Sequence, residues 1–268
     1  MKLNKIALAL SLAAFAMPLT ALAQDAAATT EAPAEEAAEA PAQEAAPAAE
    51  AAAEEESTSN LSWNLSVTSD YVFRGITQTN FEPAVQGGLD YAFGDSGWYV
   101  GAWASNIDFA DPDGPDIELD TYVGWGTDVS EDWAIDLHAV RYTYLGERDV
   151  YGSLDYNEYF FATTYGEMLT FTVAYANDYA NLDISSMYYG LAGSWEVGNG
   201  FSLNAGAGHS TFSDDVGSYN DWNLGVSRSF GPVEAALTYY DTTGGYIDDL
   251  YGDDKASDSI VLSLKIGG

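Results

Sequence analysis

Residues 58–268 predict an all-β fold, a transmembrane antiparallel up-and-down β-barrel of about 12 strands. Segments of roughly ten residues alternate apolar and polar along that stretch, the period of a strand with two unlike faces. The connections between them run short and long in turn, and aromatic residues band at both ends of the segments. A soluble sandwich would account for the alternation alone. An even strand number, one-sided long loops and two aromatic bands are what a barrel crossing a membrane requires.

The first strand, 61–70, sets Leu61, Trp63, Leu65 and Val67 against Ser62, Asn64, Ser66 and Thr68. Strands 83–93 and 97–107 follow, joined by Gly94-Asp95-Ser96-Gly97. In 117–127, Ile117, Leu119, Thr121, Val123 and Trp125 alternate with Glu118, Asp120, Tyr122 and Gly124, and Asp128-Val129-Ser130-Glu131 turns the chain into 132–143. Strands 156–165 and 168–177 flank Gly166-Glu167, 186–197 and 200–209 flank Gly198-Asn199-Gly200, and 219–229 and 232–240 flank Gly231-Pro232. The closing strand, 258–267, opposes Ile260, Leu262, Leu264 and Ile266 to Val261, Ser263 and Lys265. Glycine tolerates positive φ, proline presets φ, and Asp and Asn bond to their own backbone, so each of these connections reads as a tight turn. The others, such as 106–116, 144–155, 177–185, 210–218 and 241–257, are long. An even count puts both ends of the barrel on the short-turn side. Tyr91, Phe93, Trp98, Trp125, Trp133, Trp195, Phe201 and Phe230 lie beside the short turns. Tyr71, Phe73, Tyr142, Tyr144, Tyr175, Tyr179, Tyr188, Tyr239 and Tyr240 lie toward the long loops, and the two sets are expected as lipid-interface girdles.

The ends of the chain differ in kind. Met1 to Ala23 reads as a secretory signal, with Lys2 and Lys5 ahead of an apolar stretch and Ala21-Leu22-Ala23 as its cleavage site. Residues 24–57 are rich in Ala, Glu and Pro and hold no Lys or Arg, the composition of a disordered acidic linker. The formal charge is −34; residues 58–268 alone carry 32 acids against six bases. That excess argues against nucleic acid as a partner. Cysteine is absent, in keeping with export through an oxidising compartment.

The run from Ser66 through Asp70-Tyr71-Val72-Phe73-Arg74-Gly75-Ile76-Thr77 to Thr79 resembles the opening signature of the Gcw_chp family of proteobacterial outer-membrane barrels, also labelled TorF-type porins. Pro83 to Tyr91, Gly97 to Asn106 and Glu118-Leu119-Asp120-Thr121-Tyr122 continue the likeness. The resemblance implies an outer-membrane barrel with a porin role, its N-terminal linker in the periplasm, and brings no substrate, cofactor or catalytic residue. Expected partners are outer-membrane lipid, surface glycolipid, the barrel-assembly machinery and small solutes.

On strand parity Asp90, Glu118, Asp120, Asp136, Glu196, Asp221 and Glu234 face the lumen, with His138 beside Asp136 and Lys265 as the clearest base. An acidic lumen lowers the barrier for cations and raises it for anions, so the expected function is passive, cation-preferring diffusion of small solutes. The alternative is a plugged, non-conducting barrel acting in envelope structure or surface binding through acidic loops. Arg74 is expected at the mouth, either paired with lumen acids or, more simply, snorkelling at the interface. Asp111-Pro112-Asp113-Gly114-Pro115-Asp116 resembles the start of a calcium loop but lacks EF-hand spacing and its terminal Glu, and reads as a solvated acidic loop, so no metal site is expected. His209-Ser210 ahead of Asp214 and Asp215 is the one hydrolase arrangement that can be drawn, and His209 sits on the outward parity of its strand. The chain is therefore not expected to be an enzyme.

Overall fold

Why these residues form strands is visible in the two faces of each. The computed structural model describes residues 60–146, 153–166, 168–214, 216–244, 251 and 255–268. The signal, the linker and the acids Asp215, Asp248, Asp249, Asp253 and Asp254 lie outside the described residues. In β1 (Leu61–Thr68) the four apolar side chains stand exposed and Thr68 is buried, so the alternation of the sequence becomes an apolar exterior and a polar interior. A two-stranded hairpin follows, β2 (Val72–Phe73) and β3 (Ile76–Thr77). Then come β4 (Ala84–Ala92), β5 (Trp98–Asn106), β6 (Ile117–Asp128), β7 (Trp133–Leu145), β8 (Tyr156–Tyr165) and β9 (Leu169–Ala176). The last five are β10 (Ser186–Gly198), β11 (Phe201–Phe212), β12 (Gly217–Phe230), β13 (Val233–Thr243) and β14 (Ser259–Gly267).

β1 and β4 to β14 pair in sequence order, every pair antiparallel, and β1 bonds to both β4 and β14, which closes a barrel of 12 strands. Closure removes every sheet edge, the condition for crossing lipid with strands. Both barrel ends meet at the short-turn side, where Trp63 and Gly268 exchange backbone hydrogen bonds of 2.8 and 3.0 Å.

The outer wall is a continuous belt of exposed apolar side chains, among them Val85, Leu89, Val123, Leu137, Phe171, Leu191, Leu224, Leu237 and Leu262. A belt around the whole circumference far exceeds the apolar patch a water-soluble monomer exposes. At the short-turn end Tyr91, Phe93, Trp98, Trp133, Trp195, Phe201 and Phe230 are exposed, and Arg228 stacks over Phe201 and Phe230 at 4.8 and 5.0 Å. A guanidinium flanked by outward rings is a snorkelling interfacial arginine.

The girdle expected at the long-loop end is corrected. Tyr175 and Tyr239 do point outward, but Tyr142, Tyr144, Tyr188 and Tyr240 share the parity of the lumen acids and point inward. Tyr71, Phe73 and Tyr179 are buried in the connections. They build a core inside the barrel instead of a collar outside it. Rings follow one another from Tyr142 to Tyr156 (centroids 4.7 Å apart), Tyr179 (5.3 Å), Phe212 (5.2 Å), Tyr219 (6.3 Å) and Tyr251 (5.7 Å).

Candidate functional site

The lumen has two unlike halves, and the connection between β1 and β4 divides them. Residues 70–79 do not stay at the rim. They fold into the barrel as the β2–β3 hairpin, in which every residue from Phe73 to Thr79 is buried. Val72 pairs with Thr77 and Phe73 with Ile76, leaving Arg74-Gly75 as a two-residue turn. Both turn residues have positive φ, 44° and 79°, the geometry of a type I′ hairpin. Glycine at position 75 is required twice over: by its φ, and because a Cβ there would collide with Thr242 and the Asp221 side chain on the far wall.

Arg74, a non-glycine residue in the left-handed region, stands at a cost of about 1–2 kcal/mol. What holds it there is a fork. Nη1 and Nη2 donate to Glu158 Oε1 and Oε2 at 3.1 and 3.2 Å, Tyr142 Oη donates to the same carboxylate at 3.2 Å, and the guanidinium lies 4.0 Å over the Tyr188 ring and 4.6 Å over Phe73. Arg74 is 7 % exposed and Glu158 fully buried. This corrects the interfacial reading of Arg74: its partner is a lumen acid, and its surroundings are aromatic rings rather than lipid headgroups. Glu158 is the site residue absent from the sequence prediction, although it shares strand and parity with the inward Tyr156 and Phe160.

The base of the hairpin is tied by Asp70. Thr77 and Thr79 hydroxyls donate to its Oδ1 at 2.6 and 3.0 Å, and Gln78 N donates to Tyr71 O at 2.6 Å. Lys255 Nζ donates to Asn80 Oδ1 at 2.6 Å. Burial, the largest influence, pushes the Asp70 carboxyl above its usual value despite the two threonine hydroxyls and Lys255. Burial likewise lowers Lys255, with Asp108 and Asp70 pulling the other way. For Asp70 the folded chain therefore binds more protons than the unfolded one between the ordinary and the raised value, and stability falls as pH rises through that window. Asp70→Asn keeps an oxygen acceptor for the hydroxyls. Its urea midpoint is expected to drop less than that of the parent between about pH 4 and pH 7; an equal drop in both would place the slope elsewhere.

The predicted lumen residues all face inward and fall into two groups. Glu118, Asp120 and Asp221 lie beside the hairpin in the long-loop half and are 0 %, 0 % and 6 % exposed. Tyr144 Oη donates to Glu118 at 3.2 Å, while neither oxygen of Asp120 has a hydrogen-bond partner among the described residues. Asp90, Asp136, His138, Glu196 and Glu234 belong to the short-turn half. There the inner wall carries Ala162 and the exposed Ala192, the Tyr122 and Tyr99 rings lie over Gly101 and Gly124, and Glu196, Glu234 and Lys265 are exposed. Tyr122 Oη donates to Asp90, Tyr99 Oη donates to Asp136 at 2.8 Å, and His138 Nδ1 meets the other Asp136 oxygen while its ring stacks on Phe160.

The remaining candidates separate. Asp108 and Asp111 accept from the backbone N–H groups of Ala110 and Asp113, so these acids cap their own turns. Among the described residues no three acids or histidines converge as metal ligands. Ser210 points into the lumen and His209 out of it, with Nδ1 against Asn220 Oδ1 at 2.9 Å, so the two stand on opposite faces of the wall.

A closed wall, apolar outside and polar within, defines a membrane-spanning β-barrel. The chain belongs to the family described as "Bacterial protein of unknown function (Gcw_chp)", whose model matches residues 52–263. Among solved structures the chain is similar to the NanC porin at 10 % identity, with a TM-score of 0.46 over 77 % of this chain and 97 % of that one. The KdgM porin shares 4 % identity, TM-score 0.47, over 77 % and 96 %. The outer membrane protein OpdK from Pseudomonas aeruginosa shares 13 %, TM-score 0.37, over 70 % and 58 %. No curated protein matches the sequence. At such values the fold rests on the strand ladder of the chain itself.

Proposed function

We propose that the protein is a porin-like outer-membrane channel that passes small solutes by diffusion and prefers cations, its short turns and N-terminal linker on the periplasmic side. The observation that carries this reading is the excess of inward carboxylates in the short-turn half of the lumen, where Asp90, Asp136, Glu196 and Glu234 outnumber Lys265. Fixed carboxylates in a confined bore raise the local concentration of cations over anions. A second reading, a closed barrel serving envelope structure or surface binding through its acidic loops, draws on the packed long-loop half.

The test is single-channel recording of the full-length chain, refolded and inserted in a planar bilayer under a KCl gradient. Discrete openings with a cation-selective reversal potential are expected. Replacing Asp90, Asp136, Glu196 and Glu234 together by their amides is expected to lower the cation-to-anion permeability ratio by about twofold or more. A folded barrel that never conducts would favour the second reading, and anion selectivity would remove the cation preference.

A further inference from the structure

We propose that residues 70–79 are a retractable plug, and that the carboxylates it covers, Glu118, Asp120, Glu158 and Asp221, are the cation-selecting ring of the open channel. This rests on the channel reading above. The hairpin reaches across the bore: Tyr71 packs edge-on against Trp103 of β5 at 5.5 Å, Arg74 meets Glu158 of β8 and Tyr188 of β10, and Gly75 abuts Asp221 of β12 and Thr242 of β13. An element in contact with five strands spread around the barrel occupies its lumen.

The hairpin is built to move as one body. Its own ladder pairs, the Asp70 bonds to Thr77 and Thr79 and the bond from Gln78 N to Tyr71 O bind it internally. The Arg74–Glu158 fork is the salt bridge that ties it to the strand wall, and Tyr71 also meets the wall at Glu118 of β6 and Trp103 of β5. Further bonds reach connections: Asp108 N to Gln78 O at 2.9 Å and Thr77 N to Lys255 O at 3.1 Å, with Lys255 also holding Asn80 at the exit.

The docked state also carries costs that withdrawal relieves. Arg74 Nε, Gln78 Oε1 and both oxygens of Asp120 are buried without a hydrogen-bond partner among the described residues, and each gains water when the plug leaves. Asn80 and Phe81, the exit from the hairpin, both hold left-handed φ, 53° and 65°, and Phe81 does so as a bulky, exposed side chain. Such a balance of one strong latch against strain and orphaned polar atoms is what a two-state element requires.

Withdrawal also changes the charge of the bore. In the docked state Arg74 is, among the described residues, the one cation set among Glu118, Asp120, Glu158 and Asp221, and it belongs to the plug. When it leaves, four carboxylates from β6, β8 and β12 face the lumen together. The open pore is therefore more acidic than the closed one.

The experiment uses the full-length chain in planar bilayers, with a labelling arm that needs no current. Arg74→Gln and Glu158→Gln are each expected to raise the open probability about tenfold. Replacing residues 71–79 by a Gly/Ser linker is expected to give steady conductance. In that background Asp120→Asn with Asp221→Asn is expected to lower the cation-to-anion ratio about threefold. The chain has no cysteine, so Ile76→Cys reports the plug alone: it is expected to react with a charged maleimide about tenfold more slowly than Ser257→Cys in an exposed connection. Glu158→Gln should close that gap. A linker variant conducting like the parent, with an unchanged ratio, overturns the plug and leaves the channel standing. A folded linker variant that stays silent overturns the channel reading itself. If the linker variant does not fold, equal labelling at positions 76 and 257 overturns the plug.

Discussion

Glu158→Ala is expected to destabilise the folded barrel by about 3–5 kcal/mol, because it leaves the Arg74 guanidinium buried without its carboxylate. The loss has a ceiling. Once the penalty exceeds what holds the hairpin in the lumen, the hairpin leaves and the charge reaches water, so the damage appears as undocking before it appears as unfolding of the wall. The fluorescence of Trp103, packed against Tyr71, should then change at a lower urea concentration than far-UV circular dichroism does. Arg74→Lys keeps the charge but loses the two-pronged geometry and the flat stacking on Tyr188 and Phe73, and is expected to fall between the parent and Glu158→Ala. Removing both partners, as Arg74→Met with Glu158→Leu, is expected to cost less than Glu158→Ala alone, since two apolar groups leave no orphaned charge. Additive losses in that cycle would mean that the pair does not form in the membrane-inserted protein.

How much of this was legible in the sequence follows from what a period can and cannot encode. The wall was legible because a strand between lipid and water must alternate: Ile117 to Trp125 predicts β6, and the closing strand predicts β14, within a few residues of the observed ends. The inward acids were legible for the same reason. Glu158 was legible in principle, since the parity that turns Tyr156 and Phe160 inward turns it inward as well. The parity that makes Asp136 a lumen residue also assigns Tyr142 and Tyr144 to the lumen, so clustering of aromatics near long loops is a weaker signal than the phase of the strand that carries them.

The β2–β3 hairpin was not legible. Its strands are two residues each, too short to show any period, and its type I′ turn uses Arg-Gly where Asn-Gly or Asp-Gly would be the recognisable pair. Arginine is admitted at that left-handed position by a carboxylate 84 residues further along the chain. That is a tertiary compensation, and no local pattern contains it.

Gly101→Val is the second substitution expected to cost heavily, about 2–4 kcal/mol, and the reason is a reciprocal packing on the inner wall. Gly101 faces Tyr122 across the β5–β6 ladder, and Tyr99 faces Gly124 two pairs further along, on the same face. Each tyrosine lies over the glycine opposite, and a Cβ at either glycine would collide with the ring that covers it. The rings are held down because their hydroxyls are engaged, Tyr122 with Asp90 and Tyr99 with Asp136. A valine at 101 must lift the Tyr122 ring, break its bond to Asp90 and press it toward Tyr99, whose centroid is 6.4 Å away. Backbone strain contributes nothing, since Gly101 does not occupy the left-handed region. Gly101→Val with Tyr122→Ala should therefore recover most of the lost stability while still leaving Asp90 without its donor. Urea unfolding of the three variants in detergent checks this. If the double variant is no more stable than Gly101→Val alone, the clash with the ring is not the source of the loss. On the channel reading, the double variant should also show a stronger cation preference than the parent, the Asp90 carboxylate no longer shared with a tyrosine hydroxyl.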